Sequence, residues 1–587
     1  MAYRTEHPRP DFYRPLWRTL NGTWQFAFDR EHRGLPEKWY ADGKRLNAEI
    51  EVPFCYQSSM SGIGCDELCD TVWYKRTFSV PEEFAGKRVY ICFGAVDYAA
   101  RAYVNGQYLM SHEGGYCPFR VDVTDVLREG ENELCLCVED RPDRQQPRGK
   151  QYWKEGWSRC WYTPCTGIWQ SVYMEAAGEI CLENILITPD IDRAEARVQC
   201  VLNAAPKEDT ELRLEVFFEG RLYRRVTVLA YAENTFAAVS MVDTEAVEDV
   251  RLWSPQDPAL YELKVAVLCG GSETDSVTTY FGMRAIEVRD GYILLNHRTC
   301  YLRMVLDQGY WPESLLTPPS EEAIKKDIEW TLKLGYNGAR KHQKIEDPLY
   351  YYWADRMGLL VWGEVPAAYD FTGKALRRTA ETVADFIERD MNHPSLIAWV
   401  PVNESWGMTR LYANTQMQDA ARMLYRECKA LDPTRPVSSN DGWETVETDI
   451  LGLHDYTAAG DALTAHFTDG ERMTHYAVDD RMCLSTGFVP TGKEALMVTE
   501  YGGIAIDSTG SGWGYNRKAK DTEEYLERLR EQTDAIRRVP ACRGYCYTQL
   551  TDVMQEQNGL LYPDRTPKAD PEKIREINRN PDSEKQK

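Results

Sequence analysis

Residues 336–364 read YNGARKHQKIEDPLYYYWADRMGLLVWGE. A short, mostly apolar run around NGARK gives way to the helical pattern DPLYYYWADRMG, and then to a second apolar run, LLVWGE. Runs that accept burial on both faces, separated by a helix, indicate a parallel sheet. The alternation recurs on both sides of this unit. CYLRMVL precedes it, and LIAWVPVNE, RPVSSN, ILGLHDY, ALMVTEYG and GYCYTQL follow. Helical patterns such as EEAIKKDIEWTLKLG, ETVADFIERDMN and DTEEYLERLREQTDAIRR lie between the runs. Eight such runs in about 300 residues predict a closed (β/α)8 TIM barrel over 286–587, with a polar, charged tail from about Pro571.

Upstream the period changes to two. LNGTWQFAFD, TVWYKRTFSV, KRVYICFGAV, AARAYVNGQYL and NELCLCVED alternate apolar and polar positions between Gly, Pro, Asn and Asp punctuators. Residues 1–178 therefore read as a jelly-roll β-sandwich. Residues 179–285 carry about seven more short strands and read as an immunoglobulin-like β-sandwich. The chain is multidomain, with chemistry expected at the C-terminal ends of the barrel strands.

Composition narrows the function. The 587 residues carry a net charge of −23. A field of that sign disfavours nucleic acid and anionic lipid as partners, and an anionic substrate would need a local cation cluster. No stretch approaches about 18 consecutive apolar residues, so no membrane partner is expected. The N-terminus shows no apolar secretory core, and the 17 cysteines are scattered without a framework. Both features read as a cytoplasmic protein with reduced thiols. No dinucleotide or phosphate-binding glycine motif and no acidic metal cluster is seen, so the expected cofactors and metals are none.

Two runs end in carboxylates. LIAWVPVNES ends in Asn403-Glu404, and ALMVTEYGG ends in Glu500-Tyr501. The fourth and seventh staves of an eight-stave ring face each other, so both carboxylates look into one cup. Glycoside hydrolysis needs such a pair: one carboxyl to protonate the leaving oxygen, one ionised to attack or to activate water. Other rim positions are candidate sugar contacts: Asp307, Arg340, Lys341, His342, His454, Tyr456, Tyr501 and Tyr547. Tyr456 is placed to donate a hydrogen bond that keeps Glu500 ionised. Glu364 is read as a brace for Arg340 or Lys341, and the loop with Gly502-Gly503 and Gly510-Ser511-Gly512-Trp513-Gly514 as a lid, or an aromatic wall contributed by Trp513, around the aglycone.

The sequence resembles glycoside hydrolase family 2, which contains β-galactosidases, β-mannosidases and β-glucuronidases. LNGTWQFAFD, TGIWQSVYME, WSPQDPALYEL, FGMRAIEV, AWVPVNES, VTEYGG and NGLLYPDRTPK carry the resemblance over nearly the whole chain. It implies that Glu404 is the acid/base, Glu500 the nucleophile, and Asn403 a ligand of the sugar 2-hydroxyl. It also implies net retention, with carboxyls roughly 5–5.5 Å apart. Glu404 must then carry a proton near neutrality, and the nearby charge of Glu500 is expected to raise its pKa.

The sugar stays open at this point. Family glucuronidases carry an Asn-x-Lys pair that holds the substrate carboxylate, where this chain has Glu556-Gln557-Asn558. The cationic run Arg340-Lys341-His342-Gln343-Lys344 pulls the other way, toward a β-hexuronide, either glucuronide or galacturonide. A neutral β-galactoside is the alternative, and an inactive carbohydrate-binding protein is the rival of another class. The expected partner is a small carbohydrate or glycoconjugate. Relatives commonly oligomerise, so a homo-oligomer is compatible with the sequence, which sets no stoichiometry.

Overall fold

The computed structural model describes residues 3–242, 250–467, 488–506 and 512–579, with a short strand pair at Ala477–Val478 and Arg481–Met482. Its N-terminal part is a sandwich of two antiparallel sheets. One has the order Trp17–Thr19, Val172–Ala177, Arg88–Phe93, Phe119–Asp122. The other has six strands from Ala48–Val52 to Gln107–Glu113. The period-two pattern turns Trp24, Phe26, Tyr74, Ile91, Phe93 and Leu136 into the shared core. A second sandwich follows, with three strands (Leu182–Asp190, Glu195–Leu202, Asn234–Ser240) facing four (Arg221–Leu229, Thr210–Phe218, Tyr261–Cys269, Ser272–Phe281).

The hairpin Ile286–Arg289 and Tyr292–Leu295 plugs the bottom of a TIM barrel, where Ile286, Ile293 and Leu295 pack on Leu302, Met304, Trp362 and Val400. Seven parallel strands form one sheet in the order Leu396–Val400, Leu360–Glu364, Gly338–Lys341, Leu302–Asp307, Cys542–Thr548, Ala495–Gly502, Ile450–His454. The fifth run, RPVSSN, fills the remaining stave with isolated parallel bridges, Trp399 to Val437 and Asn403 to Asp441. Its polar side chains bond locally and compete with a full ladder: Ser438 Oγ donates to Asp441 Oδ1 at 3.0 Å, and Asn440 Nδ2 to Glu444 O at 2.8 Å. Among the described residues no helix is long and apolar enough to cross a membrane.

A loop of the first sandwich docks on the barrel rim. The amides of Arg148 and Gly149 donate to Ala367 O at 2.9 and 3.1 Å, and Tyr369 N donates to Arg144 O at 2.8 Å. Gly149 is left-handed (φ +59°), and a Cβ there would lie 2.1 Å from Gln343 O. Only glycine admits this approach. The approach brings residues 150–162 over the cup.

Candidate active site

Strand alternation decides which rim residues enter the cup. Arg340, Glu364, His454 and Glu500 point inward and are buried. Their neighbours point outward, against four of the sequence expectations. Asp307 and Lys341 are ladder partners on the outer face, paired with each other at 2.8 Å. Lys341 also pairs with Glu346 at 2.7 Å, beneath the helix Pro348–Met357. Tyr501 and Tyr547 are ladder partners packed in the core between strands and helices. The Tyr501 hydroxyl is 2.8 Å from Thr533 Oγ1. None of these four reaches the cup, so their assignment as sugar contacts is corrected.

Glu404, Glu500, Asn403, Arg340, His342, His454 and Tyr456 do come together. Arg340 is fully buried and committed on every side. Its Nε donates to Glu364 at 2.7 Å, and Nη1 lies 2.9 Å from Glu500 and 2.8 Å from Asp441. Its Nη2 donates to Asn403 Oδ1. That contact fixes the amide flip, and Asn403 Nδ2 is left without a hydrogen-bond partner among the described residues. A buried donor pointed into a cup is suited to a sugar hydroxyl. Burial raises the Glu364 carboxyl to about 7 in spite of Arg340.

Glu404 sits at a sharp corner. Its φ is +49°, in the left-handed region that non-glycine residues seldom adopt. Glu404 N donates to Asp441 O at 2.9 Å, and Ser405 N donates to Asn440 Oδ1 at 2.9 Å; both hold the turn. The turn lifts the carboxylate toward the mouth, 18% exposed against 5% for Glu500. Trp443 Nε1 donates to it at 3.0 Å.

His454 lies between the two carboxylates. Its Nδ1 is 2.8 Å from Glu404, and its Nε2 is 3.1 Å from Asp441 and 3.5 Å from Glu500. One oxygen of Glu404, one ring nitrogen of His454 and one oxygen of Glu500 lie within 4.8 Å of one another. Burial disfavours the imidazolium, but Glu500, Asp441 and Glu404 outweigh burial and raise it to about 10. Glu404 is accordingly shifted below the usual carboxylate range: burial raises it, and the hydrogen bond and charge of His454 prevail. The expected upward shift from Glu500 is therefore reversed, because a cation stands between the two acids.

Tyr456 donates to Glu500 Oε2 and stacks on Tyr515 at 3.4 Å. His342 Nδ1 is 3.0 Å from Glu364. Burial, with Lys150 and Arg340 nearby, holds His342 well below its ordinary pKa, so it is a neutral donor and acceptor. Trp513 stands further out, edge-on to Tyr515 at 5.3 Å, with its indole N–H on Arg159 O at 3.1 Å. Gly510 and Ser511 of the suggested lid lie outside the described residues.

Sequence reasoning missed several members of the site. Asp441, a rim group at the end of the fifth run to which the sequence reading gives no role, is held far below its usual pKa: burial opposes the charge, and Arg340 and His454 overcome it. Lys150, Trp161 and Tyr162 arrive from the first sandwich. Tyr162 donates to Glu556 Oε2 at 2.7 Å, and Trp161 meets Trp406 at 5.6 Å. No periodicity within one domain signals such contacts.

Known proteins match this arrangement. Residues 17–159 match the model of the glycosyl hydrolases family 2 sugar binding domain, 180–284 that of glycosyl hydrolases family 2, and 286–580 that of its TIM barrel domain. A β-glucuronidase of Paenibacillus borealis is 25% identical over 551 residues, covering 87% of this chain and 86% of that protein. A β-galactosidase of Enterobacter cloacae is 26% identical over 470 residues; the match takes in 74% of this chain but 44% of that longer enzyme. The solved β-glucuronidase from Ruminococcus gnavus in complex with D-glucuronic acid superposes with a TM-score of 0.78 at 19% identity, covering 99% of this chain and 100% of that one. The chain belongs to glycosyl hydrolase family 2 and is a glycoside hydrolase.

Proposed function

We propose that the enzyme is a retaining exo-β-glycosidase that removes one terminal β-linked hexuronide. The observation that carries the chemistry is the approach of Glu404 and Glu500 to within 4.8 Å, oxygen to oxygen, which leaves space for an anomeric carbon but not for an interposed water. Glu500, gripped by Arg340 and Tyr456, attacks that carbon. The bond to the aglycone oxygen breaks, and Glu404 hands that oxygen a proton. Water then attacks the glycosyl ester, Glu404 takes its proton, and the carboxylate of Glu500 is released.

Glu404 rests as a carboxylate beside His454, so its proton has a source. His454 Nδ1, 2.8 Å away, holds it. The pair carries one proton between its two members, and transfer along that contact arms Glu404 as the acid. Asn403 Nδ2 meets the 2-hydroxyl.

The Paenibacillus borealis β-glucuronidase matches along most of both lengths, 87% of this chain and 86% of that protein, whereas the Enterobacter cloacae β-galactosidase match takes in 44% of that enzyme, which supports the hexuronide. A neutral β-galactoside is the second reading, favoured by two observations. Arg340 and Lys341 are consumed by carboxylates of the protein. Asn558, at the position of the family's lysine, is a neutral amide bonded to Gln549 and Glu556. Rates on para-nitrophenyl β-glucuronide, galacturonide, galactoside and mannoside separate the readings. A preference for either uronide supports the first, and a preference for the galactoside or mannoside overturns it.

A further inference from the structure

Among the described residues, the buried cations around the cup are paired with one exception. Lys344 bonds Glu346 at 2.8 Å and the carbonyls of Gly309 and Leu316. Lys568 bonds Asp552 at 2.6 Å, and Arg148 bonds Asp140 at 3.0 Å. Arg340 and Lys341 are consumed as described. The ammonium of Lys150 alone among these has no hydrogen bond and no ion pair among the described residues, although the residue is only 6% exposed. Its Nζ lies 4.9 Å from the ring centre of Trp406, two residues beyond Glu404.

We propose that Lys150 is the specificity residue of this glycosidase: its ammonium group binds the carboxylate of the terminal hexuronide. The inference rests on the hexuronide reading above and adds the residue that enforces it. A buried ammonium without a partner is costly, and an arriving anion removes that cost. A hydroxymethyl group in the same place offers no charge. The aromatic face of Trp406 steadies the amine without consuming its protons.

The mount is rigid. Lys150 follows the glycine that presses on Gln343, and its carbonyl accepts from Tyr162 N at 2.8 Å. Tyr162 in turn reaches Glu556, so the loop is tied to both sides of the cup. Burial works against the charge on Lys150, but the Cys160 thiol and Glu556, Glu500 and Glu404 raise its pKa, and it stays cationic. Those acids belong to the protein and make no direct pair with it, so one further carboxylate completes the set.

The test is the ratio of kcat/KM on para-nitrophenyl β-hexuronide to that on the matching neutral β-hexoside. In Lys150→Met the ratio falls about 100-fold, as expected for loss of a charge-assisted contact. Lys150→Arg retains most of it. Should Lys150→Met not fold, Lys150→Gln carries the same comparison. Both rates falling by one factor would overturn the proposal, because Lys150 would then serve the catalytic carboxylates alone; an unchanged ratio would overturn it equally. A wild-type enzyme without preference for the uronide refutes the hexuronide reading itself, a separate outcome read before any variant is made.

Discussion

His454 Nδ1 lies 2.8 Å from the carboxylate of Glu404, and the same ring reaches Glu500 at 3.5 Å on its other side. The imidazole therefore sits between the two acids, as a cation. The family resemblance implies a raised Glu404; here its carboxyl is lowered, and the proposed mechanism draws its proton from His454.

That relationship predicts a pH profile. The His454–Glu404 pair loses its working proton only as His454 titrates, at about 10, so the rate persists into alkaline solution. In His454→Gln the proton is held by Glu404 alone, and the alkaline limb of kcat/KM moves acidward by roughly one pH unit or more. Stability follows the same sign. A histidine raised from its ordinary 6.5 contributes fully below pH 6.5 and loses that contribution as pH climbs toward 10. The difference in Tm between wild type and variant should shrink over that window. A constant difference would show that His454 is neutral.

Tyr456 holds one oxygen of Glu500, the proposed nucleophile, while Arg340 holds the other. Tyr456→Phe keeps the stacking on Tyr515 and removes only the donor. We expect kcat and kcat/KM to fall about 10- to 100-fold, with little change in Tm. A fall in Tm alone would make the hydroxyl a packing feature.

Lys341 belongs to a sealed ion cluster with Asp307 and Glu346. Lys341→Met strands the buried carboxylate of Asp307, while Glu346 keeps Lys344, and should cost roughly 3–5 kcal/mol of stability, read by denaturant unfolding. The uronide-to-hexoside ratio should stay at the wild-type value. A selective loss on uronides would return Lys341 to the cup.

How much of this was legible follows from the same residues. The barrel, the two sandwiches and the Glu404–Glu500 pair could be read because periodicity and strand ends are local properties of a sequence. Four of the rim contacts, Asp307, Lys341, Tyr501 and Tyr547, failed by parity. Arg340 and Lys341 are adjacent in the chain, yet strand alternation sends one into the cup and the other beneath a helix, and the same division separates Glu500 from Tyr501. A run of cations in sequence is therefore not a cluster in space. Asp441 was legible as a rim group but not as a partner of Arg340 and His454, because those contacts cross from other staves. Lys150 escaped because it reaches the cup from another domain, positioned by a glycine that fits against Gln343.

The central claim is that Glu500 forms the bond to the sugar. A 2-deoxy-2-fluoro β-glycoside of the preferred sugar with a good leaving group, followed by peptide mass mapping, tests it directly, because the fluorine slows release of the ester. The account predicts one glycosyl adduct, on Glu500. An adduct on Glu404, or none at all with a first product of inverted anomeric configuration, would contradict it.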